Sequence, residues 1–161
     1  MDNEMKKQLV LMIRALYFSI LDQWSHIDKE HGLSSAQQHL LFILSTSDTP
    51  LTFSDISRLG CWHLSTVSRL LPPLFKENFV RIEKNKTKFK YVSLTSRGME
   101  KLMAIAKQVM PQKDFLFNSS TVKREEIQAF LENGMALLQH YKGEKFVSWL
   151  TQPSSKKFQM H

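Results

Sequence analysis

The 161-residue sequence holds one cysteine, five glycines and five prolines. One cysteine can close no intramolecular disulfide, so a reducing cytoplasm is the expected setting. With 42% hydrophobic residues and few chain breakers, there is ample material for a core and little of the composition of disorder. Long apolar runs are missing as well. Residues 1–7 mix acids with lysines, and the apolar stretch after them is interrupted by Arg14 and Asp22. Neither a signal peptide nor a membrane span is expected. Catalytic patterns are also lacking: there is no glycine-rich phosphate loop, no Gly-x-Ser-x-Gly and no His-Glu-x-x-His. His26 and His31 stand five apart, the wrong spacing for one helix face, and no Cys-x-x-Cys backs them. The sequence therefore predicts no enzyme, no cofactor and no metal site. Acids are outnumbered, 15 against 22 basic residues, and the net charge of +7 favours an anionic partner.

That excess is concentrated. Residues 51–100 carry nine Lys and Arg against Asp55, Glu77, Glu83 and Glu100. Within them, Thr52 to Gly60 has a polar start, apolar Phe53, Ile56 and Leu59, and a glycine stop, which predicts a helix of about two turns. Cys61-Trp62-His63 connects it to a second periodic segment. There Leu64, Val67, Leu70 and Leu71 share one face, while Ser65, Thr66, Ser68 and Arg69 face away. This is a helix-turn-helix, and its second helix offers the short hydroxyls and long donor that base edges in a major groove require.

Two β-prone runs follow, Phe79 to Glu83 and Tyr91 to Thr95, with period-2 alternation of Val80/Ile82 and Val92/Leu94. The segment joining them holds Lys84, Lys86, Lys88 and Lys90 and no acid. Phosphate is the natural counter-charge for such a hairpin tip.

In Leu51-Thr-Phe-Ser-Asp-Ile-Ser-Arg-Leu59, Leu64-Ser-Thr-Val-Ser-Arg-Leu-Leu71, Glu77-Asn-Phe-Val-Arg-Ile82 and Tyr91-Val-Ser-Leu-Thr-Ser-Arg-Gly98, the chain resembles the MarR family of bacterial winged-helix regulators. Gly60-Cys-Trp-His-Leu-Ser-Thr66 is similar to the Hpr-type branch, regulators of protease production and sporulation. The resemblance implies dimerising helices on both sides of the winged helix. Two departures stand out. The family's wing carries an acid followed by an arginine, where this chain has Asn85, Lys86, Thr87 and Lys88. Lysine acting as a point charge on phosphate is expected here, rather than an arginine inserted in the minor groove. Pro72-Pro73 also falls inside the second helix, and proline at 72 lacks the N–H for the Ser68 carbonyl, so a kink or a restart after Leu71 is expected.

The flanks read as helices. Met5, Leu9, Met12, Ile13, Leu16, Ile20, Trp24 and Ile27 fall at helical spacing between Glu4 and about Lys29. Ser34-Ser35 starts a second helix to Thr46; Thr95 or Ser96 starts a third, ended or bent by Pro111; another begins near Ser120-Thr121. Phe146 to Leu150 forms a last apolar turn or a docking segment. The methionines at 99, 103, 110 and 135 and the phenylalanines at 115, 117 and 130 read as core packing before an effector pocket.

The expected fold is thus mainly α with a small β-hairpin wing: a winged helix-turn-helix flanked by N- and C-terminal dimerisation helices. Residues 1–47 are the N-terminal dimerisation and supporting helices, 48–98 the DNA-binding lobe, 99–151 the C-terminal dimerisation helices and 152–161 a flexible tail. The expected function is sequence-specific binding of double-stranded DNA by a homodimer on a pseudo-palindromic operator, with repression its simplest outcome. His63, Ser65, Thr66, Ser68 and Arg69 on the helix-turn-helix and Lys84, Lys86, Lys88 and Lys90 on the wing are the expected contacts. One alternative is a winged helix that binds an acidic protein partner, favoured if the prolines break the second helix. Another is a regulator that also senses a small-molecule effector or an oxidant. For the latter Cys61 is the candidate, although a small buried hydrophobe is the simpler reading of that residue.

Overall fold

The computed structural model describes residues 1–84, 89–109 and 122–152. Helix α1 (Asn3–His31) begins where Asp2 accepts a hydrogen bond from the Met5 N–H at 2.7 Å and ends at Gly32. Its 29 residues span about 43 Å at 1.5 Å each. Helix α2 (Ser35–Ser45) starts in a reciprocal capping box between Ser34 and Gln37 and is buried along most of its length. A two-residue strand β1 (Leu51–Thr52) leads into α3 (Phe53–Leu59), then α4 (Leu64–Lys76), the hairpin strands β2 (Val80–Lys84) and β3 (Lys90–Leu94), and α5 (Ser96–Val109). The C-terminal part consists of α6 (Arg124–Lys142) and α7 (Glu144–Thr151), separated at Gly143.

The sheet is antiparallel with strand order β1-β3-β2, and β1 pairs Leu51 with Val92. That first strand is too short to leave a periodic signal, so the sequence predicts only the hairpin. One core unites α2, α3, α4, the sheet and α5: Leu40, Leu41, Ile56, Val67, Leu71, Leu74, Val80, Val92 and Ile105 are all essentially inaccessible. Burial of this kind is the main stabilising term for such a lobe.

Three expectations are corrected. Helix α4 runs unbroken to Lys76 with Pro72 and Pro73 inside it. The two prolines leave the Ser68 and Arg69 carbonyls without helical donors, but both residues are solvent-exposed, where water serves them. On the opposite side Leu71 and Leu74 are buried and hold the backbone helical across the gap. Helix α6 begins at Arg124 rather than near Ser120-Thr121, where the Lys123 N–H donates to Glu126 at 2.8 Å. Phe130 is not core but lies about half exposed. Pro111, Met110, Phe115, Phe117 and nearly all of the expected tail lie outside the described residues.

Candidate nucleic-acid interface

The interface is built on two helix ends. At the start of α3, the Thr52 hydroxyl accepts from the Asp55 N–H at 3.1 Å, and the Asp55 carboxylate accepts from the Thr52 N–H at 3.2 Å and its hydroxyl at 2.6 Å. Arg58 donates to the other Asp55 oxygen at 3.3 Å. Partial burial pushes the Asp55 carboxyl up, but the Thr52 and Arg58 hydrogen bonds and the Arg58 charge outweigh it and hold the group below its ordinary range.

At the other end of α3 the Trp62 N–H reaches the Ser57 carbonyl at 2.9 Å and the Cys61 N–H reaches that of Arg58 at 3.3 Å. These are the two bonds of a Schellman motif, whose left-handed position falls on Cys61, with φ 54°. Glycine would be the usual occupant. Gly60 stands one residue earlier, with φ −80°, because a Cβ there would lie 2.4 Å from the Trp62 ring. The buried site expected for Cys61 is therefore wrong: a residue that turns the chain through the left-handed region projects outward, and Cys61 is exposed.

The turn delivers His63 as N-cap of α4. Its side chain caps no backbone N–H; its Nδ1 lies 3.1 Å from the Ser65 hydroxyl oxygen. Beyond it Ser65, Ser68 and Arg69 are exposed and Thr66 is half-buried, while Val67, Leu71 and Leu74 are buried. The four ion pairs among the described residues involve Lys7, Arg58, Arg81 and Arg97, and Arg69 is in none of them.

A second Schellman motif ends α4. Asn78, with φ 58°, takes the left-handed position, and the Phe79 N–H reaches the Leu74 carbonyl at 2.9 Å. Thr95 then locks the hairpin to this helix end: its hydroxyl donates to the Asn78 carbonyl at 2.7 Å and accepts from the Gly98 N–H at 3.0 Å. Gly98 is obligatory there, since a Cβ would meet the Phe79 carbonyl oxygen at 2.1 Å. The wing is thus fixed relative to α4.

The β2–β3 ladder ends with Lys84 directly opposite Lys90. Like charges at a cross-strand pair repel, and an anion between them removes the cost. The Lys90 ammonium also lies 5.8 Å from the centre of the Phe53 ring, a neighbour the sequence did not reveal because the two residues are far apart in the chain. Lys86 and Lys88 lie outside the described residues. His39 is a second residue missed by sequence reading. Its ring meets Trp62 edge-on at 5.3 Å, and the partial burial of this still solvent-exposed residue lowers its pKa.

No protein-family model matches the chain. A regulator named Hpr from Bacillus cytotoxicus is 23% identical over 145 residues, covering 88% of this chain and 78% of that protein. Among solved structures, a MarR-family transcriptional regulator from Silicibacter pomeroyi superposes with a TM-score of 0.69 at 23% identity, covering 80% of this chain and 86% of the other. Staphylococcus aureus MepR, solved as a DNA complex, gives 0.70 at 20% identity over 81% of this chain and 96% of its own. The chain is similar to Hpr regulators and has the fold of the MarR regulators.

Proposed function

We propose that this protein is a sequence-specific regulator of transcription that binds duplex DNA as a homodimer. The observation that carries the reading is the exposed face Ser65, Ser68 and Arg69 of an unbroken α4, fixed beside a hairpin that ends in the facing pair Lys84 and Lys90. In this reading α4 enters the major groove, where Arg69 reads a guanine and the hydroxyls of Ser65, Thr66 and Ser68 meet bases or adjacent phosphates. His63 and the lysines at 84, 86, 88 and 90 hold the backbone. Residues 48–98 act as the DNA-binding lobe.

The dimer rests on the flanking helices. In the single chain α1 leaves Val10, Leu11, Ile13, Tyr17 and Phe18 in water, and no residue of α6 is buried. Two amphipathic helices with so much apolar surface uncovered are completed by a second copy. A two-fold axis then sets two α4 helices about 34 Å apart, in successive major grooves of a pseudo-palindrome. Similarity to Hpr supports the regulatory role, and the MepR–DNA complex supports DNA as the partner. Repression by blocking polymerase is the simplest outcome, in the cytoplasm and without catalysis. The competing reading, a basic wing that meets an acidic protein because a broken α4 fits the groove poorly, loses its main support because α4 is continuous.

Selection of bound duplexes from a randomised pool, with the mass in solution recorded in the same buffer, tests the reading. A dimer that enriches an inverted repeat is the expected result. A protein that enriches nothing at moderate salt, and binds random duplex with little dependence on salt, is not a site-specific regulator.

A further inference from the structure

A depression of about 350 Å³ opens between the helix-turn-helix and the C-terminal helices. Ser54 and Arg58 of α3 and Leu64, the first residue of α4, line one side; Lys142, the last residue of α6, lines the other, with Trp62 and Phe146 also in its wall. Lys142 is 84 residues from Arg58 in sequence, and it is held here by tertiary structure. Gly143, with φ 81°, turns the chain from α6 into α7, Phe146 is buried, and the Trp149 Nε1–H donates to the Thr46 hydroxyl at 2.9 Å.

We propose that this depression seats a backbone phosphate of the bound DNA, with Lys142 as a ligand supplied by the C-terminal helices. The inference rests on the DNA-binding reading above and extends its surface beyond the helix-turn-helix and wing. Three features support it. Among the described residues no carboxylate lines the depression, and two cations, Arg58 and Lys142, face it. Asp55 engages one guanidinium nitrogen of Arg58, which leaves the other donors of that planar fork for a phosphate oxygen. The Ser57 hydroxyl is used by the Trp62 carbonyl at 2.6 Å, so the exposed Ser54 supplies the hydroxyl donor.

The mixture of cations with the accessible Trp62 and Leu64 also fits a sugar-phosphate better than a bare ion. The charged groups take the phosphate, and the apolar side chains take the carbons of the deoxyribose. Position agrees: Leu64, expected on the packed face, is instead nearly half exposed, and it stands one turn from Ser68 on the same flank of α4. A phosphate seated beside Leu64 therefore borders the groove that α4 enters.

The test compares the intact protein with Lys142→Ala and Lys142→Arg on the selected operator and on a random duplex. Lys142 is exposed, and unchanged mass and melting temperature identify variants that fold as the parent does. Neutralising one fewer phosphate reduces the slope of log K against log salt by about 0.9, so a dimer that neutralises two fewer should show a slope about 1.8 shallower, equally on both duplexes, with Lys142→Arg restoring it. A scan of single neutral methylphosphonates through the operator should then find a position that weakens the parent several-fold and leaves Lys142→Ala unaffected. An unchanged slope, or equal weakening of parent and variant at every position, overturns the inference while DNA binding itself stands. A parent that binds no duplex removes the DNA reading and this one together.

Discussion

The helix-turn-helix lobe and the helices that flank it differ in where their apolar side chains go. In α4 the leucines and valine of one face are buried within the chain, Val67, Leu71 and Leu74 all at 1% exposure or less. In α6 a comparable apolar set finds no cover, and Phe130, Leu131 and Leu137 are each nearly half exposed. The two helices look alike as sequence, since both are amphipathic. The difference teaches that one region is completed by its own chain, while the other leaves apolar surface that the proposed homodimer would cover.

Substitutions can break that comparison. The largest effect is expected at Leu71→Ala, which should lower stability by about 2–5 kcal/mol in urea unfolding, because the cavity has nothing to fill it. A loss under about 1 kcal/mol would mean the lobe is packed less tightly than Leu71 indicates. On the opposite face of the same helix the roles reverse. Arg69→Ala should leave unfolding unchanged and weaken operator binding by about 1–3 kcal/mol if it reads a guanine. Equal weakening on random duplex would reassign Arg69 to a phosphate.

For the flanking helices, Phe130→Asp should weaken self-association at least tenfold, about 1.4 kcal/mol, measured by sedimentation across a dilution series. An unaltered dimer would take α6 out of the interface. The smallest effect belongs to the capping box of α3, where Thr52→Ala should cost about 1 kcal/mol. Its partner Asp55 has a lowered pKa in the folded protein, so its contribution is present above the ordinary carboxylate range and is lost as pH falls below about 4 through the folded value. Asp55→Asn should flatten the stability profile below about pH 4, and a profile that keeps its acid limb would assign that limb to other carboxylates.

Much of this was legible in the sequence. Ser34, Thr52 and Thr95 stand at the helix starts expected of them, because a hydroxyl followed by free N–H groups is a local signal. Period-3.6 and period-2 patterns gave α4 and the hairpin for the same reason. The turn at Gly60 and Cys61 was legible only in part. Sequence predicts that a glycine stops the helix, but which residue takes the left-handed position was decided by the Trp62 ring, and that moved Cys61 to the surface. The proline pair misled in a similar way: it weakens a helix locally, and only the burial of Leu71 and Leu74 shows what holds α4 together. Lys142 carried no signal at all, being a lysine at the end of an amphipathic helix.

What the sequence alone determined is the set of elements and the chemistry each displays: an exposed hydroxyl-and-arginine face, a basic hairpin, amphipathic flanks. These depend on neighbours within a turn of helix or a pair of strands, so the linear order records them. The tertiary structure decided what only distant residues can decide. It fixed the wing to α4 through Thr95 and Asn78, placed Lys90 against Phe53, and brought Lys142 to Arg58. Such pairings are set by which apolar faces exclude water together, and that energy belongs to the packed core rather than to any segment of the chain.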